Sequence, residues 1–523
     1  MHSDLYANIT VYVGFRYRYK LSMHILDLPP ELLAQILVTY VQDGPQLSSS
    51  RRRPSHKRYN VLFVCQRWYF IALECPEMWN VIILPSTFAY TKAMVERSKN
   101  APLHIECIGR DLGVGYHMDA LKLIFSQNHR IIHLEIPLYP TVLSLLSSFP
   151  HPFPLPVARY IMTKSDLSGN LPANYPFSAP TLRSLHAEGY SFQQLQLAGA
   201  LPSTIRHLTG GDDDEELRQF LEHLHNTPLL EELVWDPPLH NSGIPHQFRT
   251  LSLDHLTILN LTLTTPDLHF LKYLSCPRGV SLTLSILCGR VLDVDIFSST
   301  IEYAFAICRI ASACGDGEQV RMVKLLVGCA NGFALWTTLS PKPYRGNIPT
   351  VETPRLEISV PGTFTSGISG FCHSYTSKLN LSATETLILA NHFDAKDELE
   401  LASFAEALFP MCNLYTLIAT KWCWGSLESL LTQSKHQIIF PRLETIHVKK
   451  LQRGHEFHND FVLDSESTIS SGIQRLLDYR RLRESPVVDL HLWEEPFYPI
   501  PLGQSTLDTL TQLHSPAKVD LHP

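Results

Sequence analysis

The chain has 523 residues, of which 45% are hydrophobic and 18% charged, with a formal net charge of −7. This length exceeds what one core serves and predicts about two to four domains or one long repeat array, and the composition excludes a disordered chain. The mild acidity argues against a general binder of nucleic acid or of anionic membranes, so neither is expected as a partner.

The first twenty residues, MHSDLYANITVYVGFRYRYK, lack the charged, then apolar, then small-residue pattern of a secretory signal. Residues 1–22 alternate polar and apolar and read as a tail dispensable for partner binding, with Met23, just before HILDLPPELL, as the expected working start of translation. In DLPPELLAQILVTYV, residues 27–41, Pro29 and Pro30 fit only the first turn of a helix, where a missing N–H costs nothing. Asp27 and Glu31 place negative charge at the same end, where the helix dipole favours it. Leu32/Leu33, Ile36/Leu37 and Tyr40/Val41 then recur at helical spacing and are expected to make one face.

A second helix is predicted from Val61, in VLFVCQRWYFIALECPEMW, and ended by Pro76. From Val61 to Leu73 only Gln66 and Arg67 are polar, and a helix apolar nearly all round needs a second covering surface. No apolar run reaches the ~20 residues of a spanning helix, so a membrane is not that cover. Between the helices, residues 43–59 (DGPQLSSSRRRPSHKRY) begin with Gly, Pro and Ser and continue into Arg51, Arg52, Arg53, Lys57 and Arg58. They read as a solvated insert, with a nuclear-localisation or acidic-partner patch as the sharper alternative.

The order Leu-Pro-x-Glu-Leu-x-x-x-Ile (Leu28, Pro29, Glu31, Leu32, Ile36), then Val-Cys-x-x-Trp (Val64, Cys65, Trp68), then a proline and MWNVIIL, resembles an F-box. The following VERSKNAPLHIECIG, residues 95–109, is similar to the segment after the F-box in many fungal F-box proteins, which commonly continue into leucine-rich-repeat-like units. The resemblance implies binding to the Skp-type adaptor, and through it a cullin, of an SCF-type cullin–RING ubiquitin ligase. Leu28, Pro29, Ile36, Val64, Cys65 and Trp68 would lie at or behind that interface, and the adaptor would cover the second helix. The 43–59 insert is longer than a compact F-box usually carries.

Beyond Trp79, runs of the form apolar-x-x-apolar-x-apolar recur: Ile131-Leu134-Ile136, Leu182-Leu185-Ala187, Leu230-Leu233-Trp235, Leu256-Leu259-Leu261 and Leu443-Ile446-Val448. Several follow a proline, as in APTLRSL, TPLLEEL and FPRLETI, and helical stretches such as DDDEELRQFLEHLHN and ELASFAEALF lie between them. Leu182, Ile205, Leu230 and Leu256 open units spaced by 23, 25 and 26 residues, within the range of leucine-rich repeats. A regular asparagine after the strand is absent, and residues 290–350 lose the period. The expected fold is therefore α/β: a small N-terminal helical F-box (23–84) followed by an irregular leucine-rich-repeat-like solenoid (85–523). An ordinary layered α/β domain is the alternative.

Catalytic and metal motifs are not supported by spacing. HEFHND, residues 455–460, has Asn459 where a zinc-protease helix needs its second histidine, and GISG, residues 367–370, lacks the nucleophile-elbow spacing. The acidic run 211–217 reads as a first helical turn, and Cys308 and Cys314 read as core. No catalytic residue, metal or cofactor is expected. The eleven cysteines are odd in number and never paired as C-x-x-C, which suits a cytoplasmic or nuclear protein. The expected function is a substrate-recognition subunit that does no chemistry, and the alternative is an adaptor-independent interaction scaffold with a drifted F-box. Strand alternation puts the target-binding residues on a concave face: His133, Glu135, Ser184, His186, Glu232, Val234, Asp236, Asn260, Thr262, Thr445, His447 and Lys449.

Overall fold

The computed structural model describes residues 28–42, 56–107, 115–165, 174–211, 217–239, 250–264, 269–277, 279–287, 294–310, 317–326, 330–337, 354–361, 376–390, 404–420, 430–432, 439–449, 475–482 (except 477), 489–493 and 518–522. It is a mixed α/β protein with mostly parallel strand pairing. Two compact units divide the chain: residues 1–187 with 194–202, and residues 188–193 with 203–523. The tail 1–22, Arg51, Arg52, Arg53, most of the acidic run, Cys314, GISG and HEFHND lie outside the described residues.

The first unit opens with helix α1 (Pro30–Gln42), a 3-10 segment (His56–Phe63) and helix α2 (Gln66–Glu74). The second helix therefore starts five residues later than expected. Val61–Phe63 belong to the 3-10 turn, and Cys65, with φ −161° and ψ 167°, is the extended residue that caps α2. Five strands follow: β1 (Val81–Leu84), β2 (Leu103–Cys107), β3 (Ile131–Leu138), β4 (Tyr160–Ser165) and β5 (Ser184–Glu188). They pair in parallel, each with the next in the chain. Val81–Leu84, placed by sequence at the end of the helical domain, is thus the first strand of the sheet.

Trp79 fastens the helices to this sheet. Its indole stacks on Tyr59 at 5.7 Å, carries the Arg97 guanidinium at 4.5 Å, and donates to the Ala72 carbonyl at 2.8 Å. Arg130, buried before β3, donates to the Ala101 carbonyl and to Ser98 Oγ and so ties three successive segments together.

The second unit contains β6 (His207–Gly211), β7 (Glu232–Leu239), β8 (Ile258–Leu263) and β9 (Ser281–Ile286), again parallel in chain order. Parallel pairing in chain order is interrupted after β9. Helix Val294–Cys308 is followed by β10 (Met322–Leu326), β11 (Ala330–Trp336) and β12 (Leu356–Pro361), and β11 runs antiparallel to both its neighbours. β12 pairs with β9, while β10 pairs with β13 (Thr386–Ala390), so the insertion is spliced into the sheet in reverse order. Parallel pairing then resumes through β14 (Thr416–Thr420), β15 (Thr445–Lys449), β16 (Asp489–Trp493) and β17 (Lys518–His522).

One turn recurs before the strands. The N–H of Leu182, Leu230, Leu256, Thr384, Leu414 and Leu443 each donates to the carbonyl three residues earlier, and each strand begins two residues later. The apolar side chain at or beside this turn is buried, and the next apolar positions follow at strand spacing. In register these positions form continuous rows, such as Ile82–Ile105–Leu134–Ile161–Leu185 in the first unit and Leu208–Leu233–Leu259–Leu282 in the second, all essentially inaccessible. Burying one such side chain contributes about 1.5–3 kcal/mol, and a one-residue slip would expose the whole row.

Candidate protein-interaction surfaces

Two surfaces of the first unit leave reactive or apolar side chains accessible. On α1, Leu33, Leu37 and Val41 are buried, while Leu32, Ile36 and Tyr40 are exposed. Residues four apart share a helix face, so α1 carries two adjacent apolar stripes, one packed and one facing solvent. The sequence merges them into a single face. Around α2, Trp68 and Ala72 pack inward, whereas Phe63, Val64, Tyr69 and Phe70 are exposed, Phe63 at 85%. So many large apolar side chains on one short helical block are typical of a partner-binding surface.

Of the residues singled out from the F-box resemblance, Pro29, Ile36 and Val64 are exposed and Leu28 and Cys65 half-buried. The Leu28 carbonyl accepts from Arg67 Nη2 at 2.6 Å, which pins the chain entering α1 to α2. Trp68 is buried and supports this surface from behind. Leu32, Tyr40, Phe63 and Phe70 join the exposed set without being anticipated. The sequence signal for Leu32 and Tyr40 was their i, i+4 spacing with Ile36.

The second surface is the sheet face opposite the buried rows. His104, His133, Tyr160 and Ser184 occupy one register row, and Glu106, Glu135, Met162 and His186 the next. The His133 and Tyr160 rings stack at 4.2 Å with 7° between planes, and His104 adds to the stack at 5.6 Å. His133 Nε2 lies 3.2 Å from Glu135 Oε1. Burial, reinforced by the neighbouring His133, pushes the His104 pKa down. Burial and then the Glu135 charge push the Tyr160 hydroxyl up to about 12. Burial likewise raises the Cys107 thiol, with Glu135 and Glu106 adding to it. His133, Glu135, Ser184 and His186 thus share one half-exposed face, as alternation predicts. His104, Glu106, Tyr160 and Met162 were missed because β2 and β4 lack the Leu-x-x-Leu-x-Leu form, although LHIEC alternates plainly.

In the second unit, Val234 pairs with Asn260, and Glu232 lies in the row beside them. Glu232 Oε2 is 3.1 Å from His207 Nδ1. The register shifts before Thr262, which pairs with Pro238, so Asp236 falls in a bulge, exposed and out of the expected row. His447 departs further from expectation because it is buried rather than lining an open face. Its row partner is Ile418, part of a buried cluster with Met322, Ala334, Trp336 and Ile388. Strand alternation cannot see that the second face is apolar there and is packed as well. Thr445 is half-buried, and the Lys449 backbone pairs with Thr420 and Trp493.

Among the described residues, no group of three or more His, Cys, Asp and Glu is placed to hold a metal ion, and no helix is long and apolar enough to cross a membrane. No protein-family model matches the chain, and no curated protein matches it.

Proposed function

We propose that the protein is the substrate-recognition subunit of an SCF-type cullin–RING ubiquitin ligase, acting in the cytoplasm, the nucleus or both. In this reading the N-terminal helices are an F-box that binds the Skp-type adaptor, and the strand-bearing remainder is an irregular leucine-rich-repeat solenoid whose open sheet face receives a protein target. The chain itself does no chemistry. Its role is to hold the target within reach of a ligase assembled through the adaptor and its cullin.

The observation that carries the reading is the paired stripe on α1, with Leu33, Leu37 and Val41 packed and Leu32, Ile36 and Tyr40 facing solvent, together with the exposed Val64 and Phe70. A helix in solution does not keep two apolar faces unless both are covered during its working life. The motif Leu28, Pro29, Ile36, Val64, Cys65, Trp68 says which partner would cover the second. The recurring turn and the register rows support the repeat reading, because units of 23 to 26 residues cannot bury an apolar edge without a neighbour. The test is co-elution of the full chain with a purified Skp-type adaptor in size-exclusion chromatography. A stoichiometric complex supports the proposal, and separate elution at micromolar concentration rejects it.

A further inference from the structure

The first unit's open sheet face carries more than a generic protein-binding lining. Its ring stack runs His104, His133, Tyr160 in register and stops at Ser184, whose small side chain occupies the fourth place. Neighbouring strands are ~4.8 Å apart, close to the spacing of stacked planar groups, so a flat group above Ser184 would continue the ladder on the outer face of Tyr160. The adjoining row sets Glu106 and Glu135 directly opposite each other, an arrangement of like charges that costs stability within a sheet. The negative charge sits against the stack, since Glu135 Oε1 lies 3.2 Å from Nε2 of His133, the middle ring.

We propose that this face binds an extended, arginine-bearing segment of the target, with one guanidinium stacked on Tyr160 above Ser184 and the positive charge of the segment as a whole favoured by Glu135 and Glu106 further along the face. The inference rests on the reading that the target docks on the sheet face. Arginine fits better than lysine because its guanidinium is planar, stacks on aromatic rings and sheds water more easily than an ammonium group. Nucleic-acid bases would also stack, but their phosphates would meet two carboxylates where a strand-binding groove needs basic side chains.

The test uses the full chain and fluorescence anisotropy of a short labelled peptide of alternating arginine and glycine, compared with lysine–glycine and glutamate–glycine peptides and with oligouridine. Saturable binding in the order arginine, lysine, glutamate is expected. Glu106→Gln with Glu135→Gln should weaken the arginine peptide about threefold, and Tyr160→Leu about threefold to fivefold. Tyr160→Phe should retain binding, whereas Ser184→Phe, which fills the fourth place, should abolish it. Thermal melting of each variant separates lost binding from lost folding. The proposal is overturned by equal affinity for arginine and glutamate peptides, by preference for oligouridine, or by arginine binding unchanged in the folded Glu106/Glu135 and Ser184 variants. Adaptor co-elution of the same preparation keeps the two claims apart. Adaptor binding without peptide binding rejects only this inference, and peptide binding without adaptor binding rejects only the ligase assignment.

Discussion

Replacing Val64 and Phe70 by alanine separates partner binding from folding, because both side chains face solvent. Val64 is 58% exposed and Phe70 60%. Full burial of a side chain of this size contributes about 1.5–3 kcal/mol, so covering the exposed fractions is worth roughly 0.9–1.8 kcal/mol at each position. Alanine keeps its Cβ, which places the expected loss for the double variant near the lower end, about 1.5–3 kcal/mol, or about tenfold to a hundredfold in Kd. Trp68 and Ala72 still pack in this variant, so the fold persists. The assay is isothermal titration of the full chain with the Skp-type adaptor, alongside thermal melting. Wild-type affinity in the double variant, with melting unchanged, would refute the assignment of this face to the adaptor.

Three further outcomes are expected. Trp68→Ala should destabilise the first unit by about 3–5 kcal/mol, because the indole is buried, and chemical denaturation measures this. The pKa of His104 is depressed mainly by burial, so the unfolded chain takes up that proton first as pH falls below about 6.5. Stability should therefore drop between pH 7.5 and 5.5, and His104→Gln should flatten the slope; an identical slope in the variant would exclude His104 as its source. Gly332→Ala should cost about 1–3 kcal/mol, since a Cβ there would overlap the Ile358 carbonyl oxygen of the paired strand, and melting of the variant reports it.

The strands carrying Leu185, Leu233 and Leu259 were legible because each places two apolar side chains on a buried face at strand spacing, after a turn that reads in the sequence. The loss of period at 290–350 was legible for the same reason, but its splicing was not. The reversed order of β10, β11 and β12 depends on pairing between segments dozens of residues apart, which no local pattern encodes. The N-terminal helices were legible as elements, yet the division of Leu32/Leu33 and Ile36/Leu37 into exposed and packed partners needed the tertiary structure. Alternation located the open face at His133 and Glu135 but failed at His447, where the second face is also packed, and at Asp236, where a bulge breaks the register. The His104–His133–Tyr160 stack was invisible because it joins residues from three strands, and only the register brings their rings together.

The most direct test is hydrogen–deuterium exchange of the full chain with and without the Skp-type adaptor. The account predicts slowed exchange in peptides covering α1 and residues 61–74, with the strands at 131–138 and 160–165 unchanged and left open for a target. Protection confined to the sheet, or none in the N-terminal helices at saturating adaptor, would contradict it.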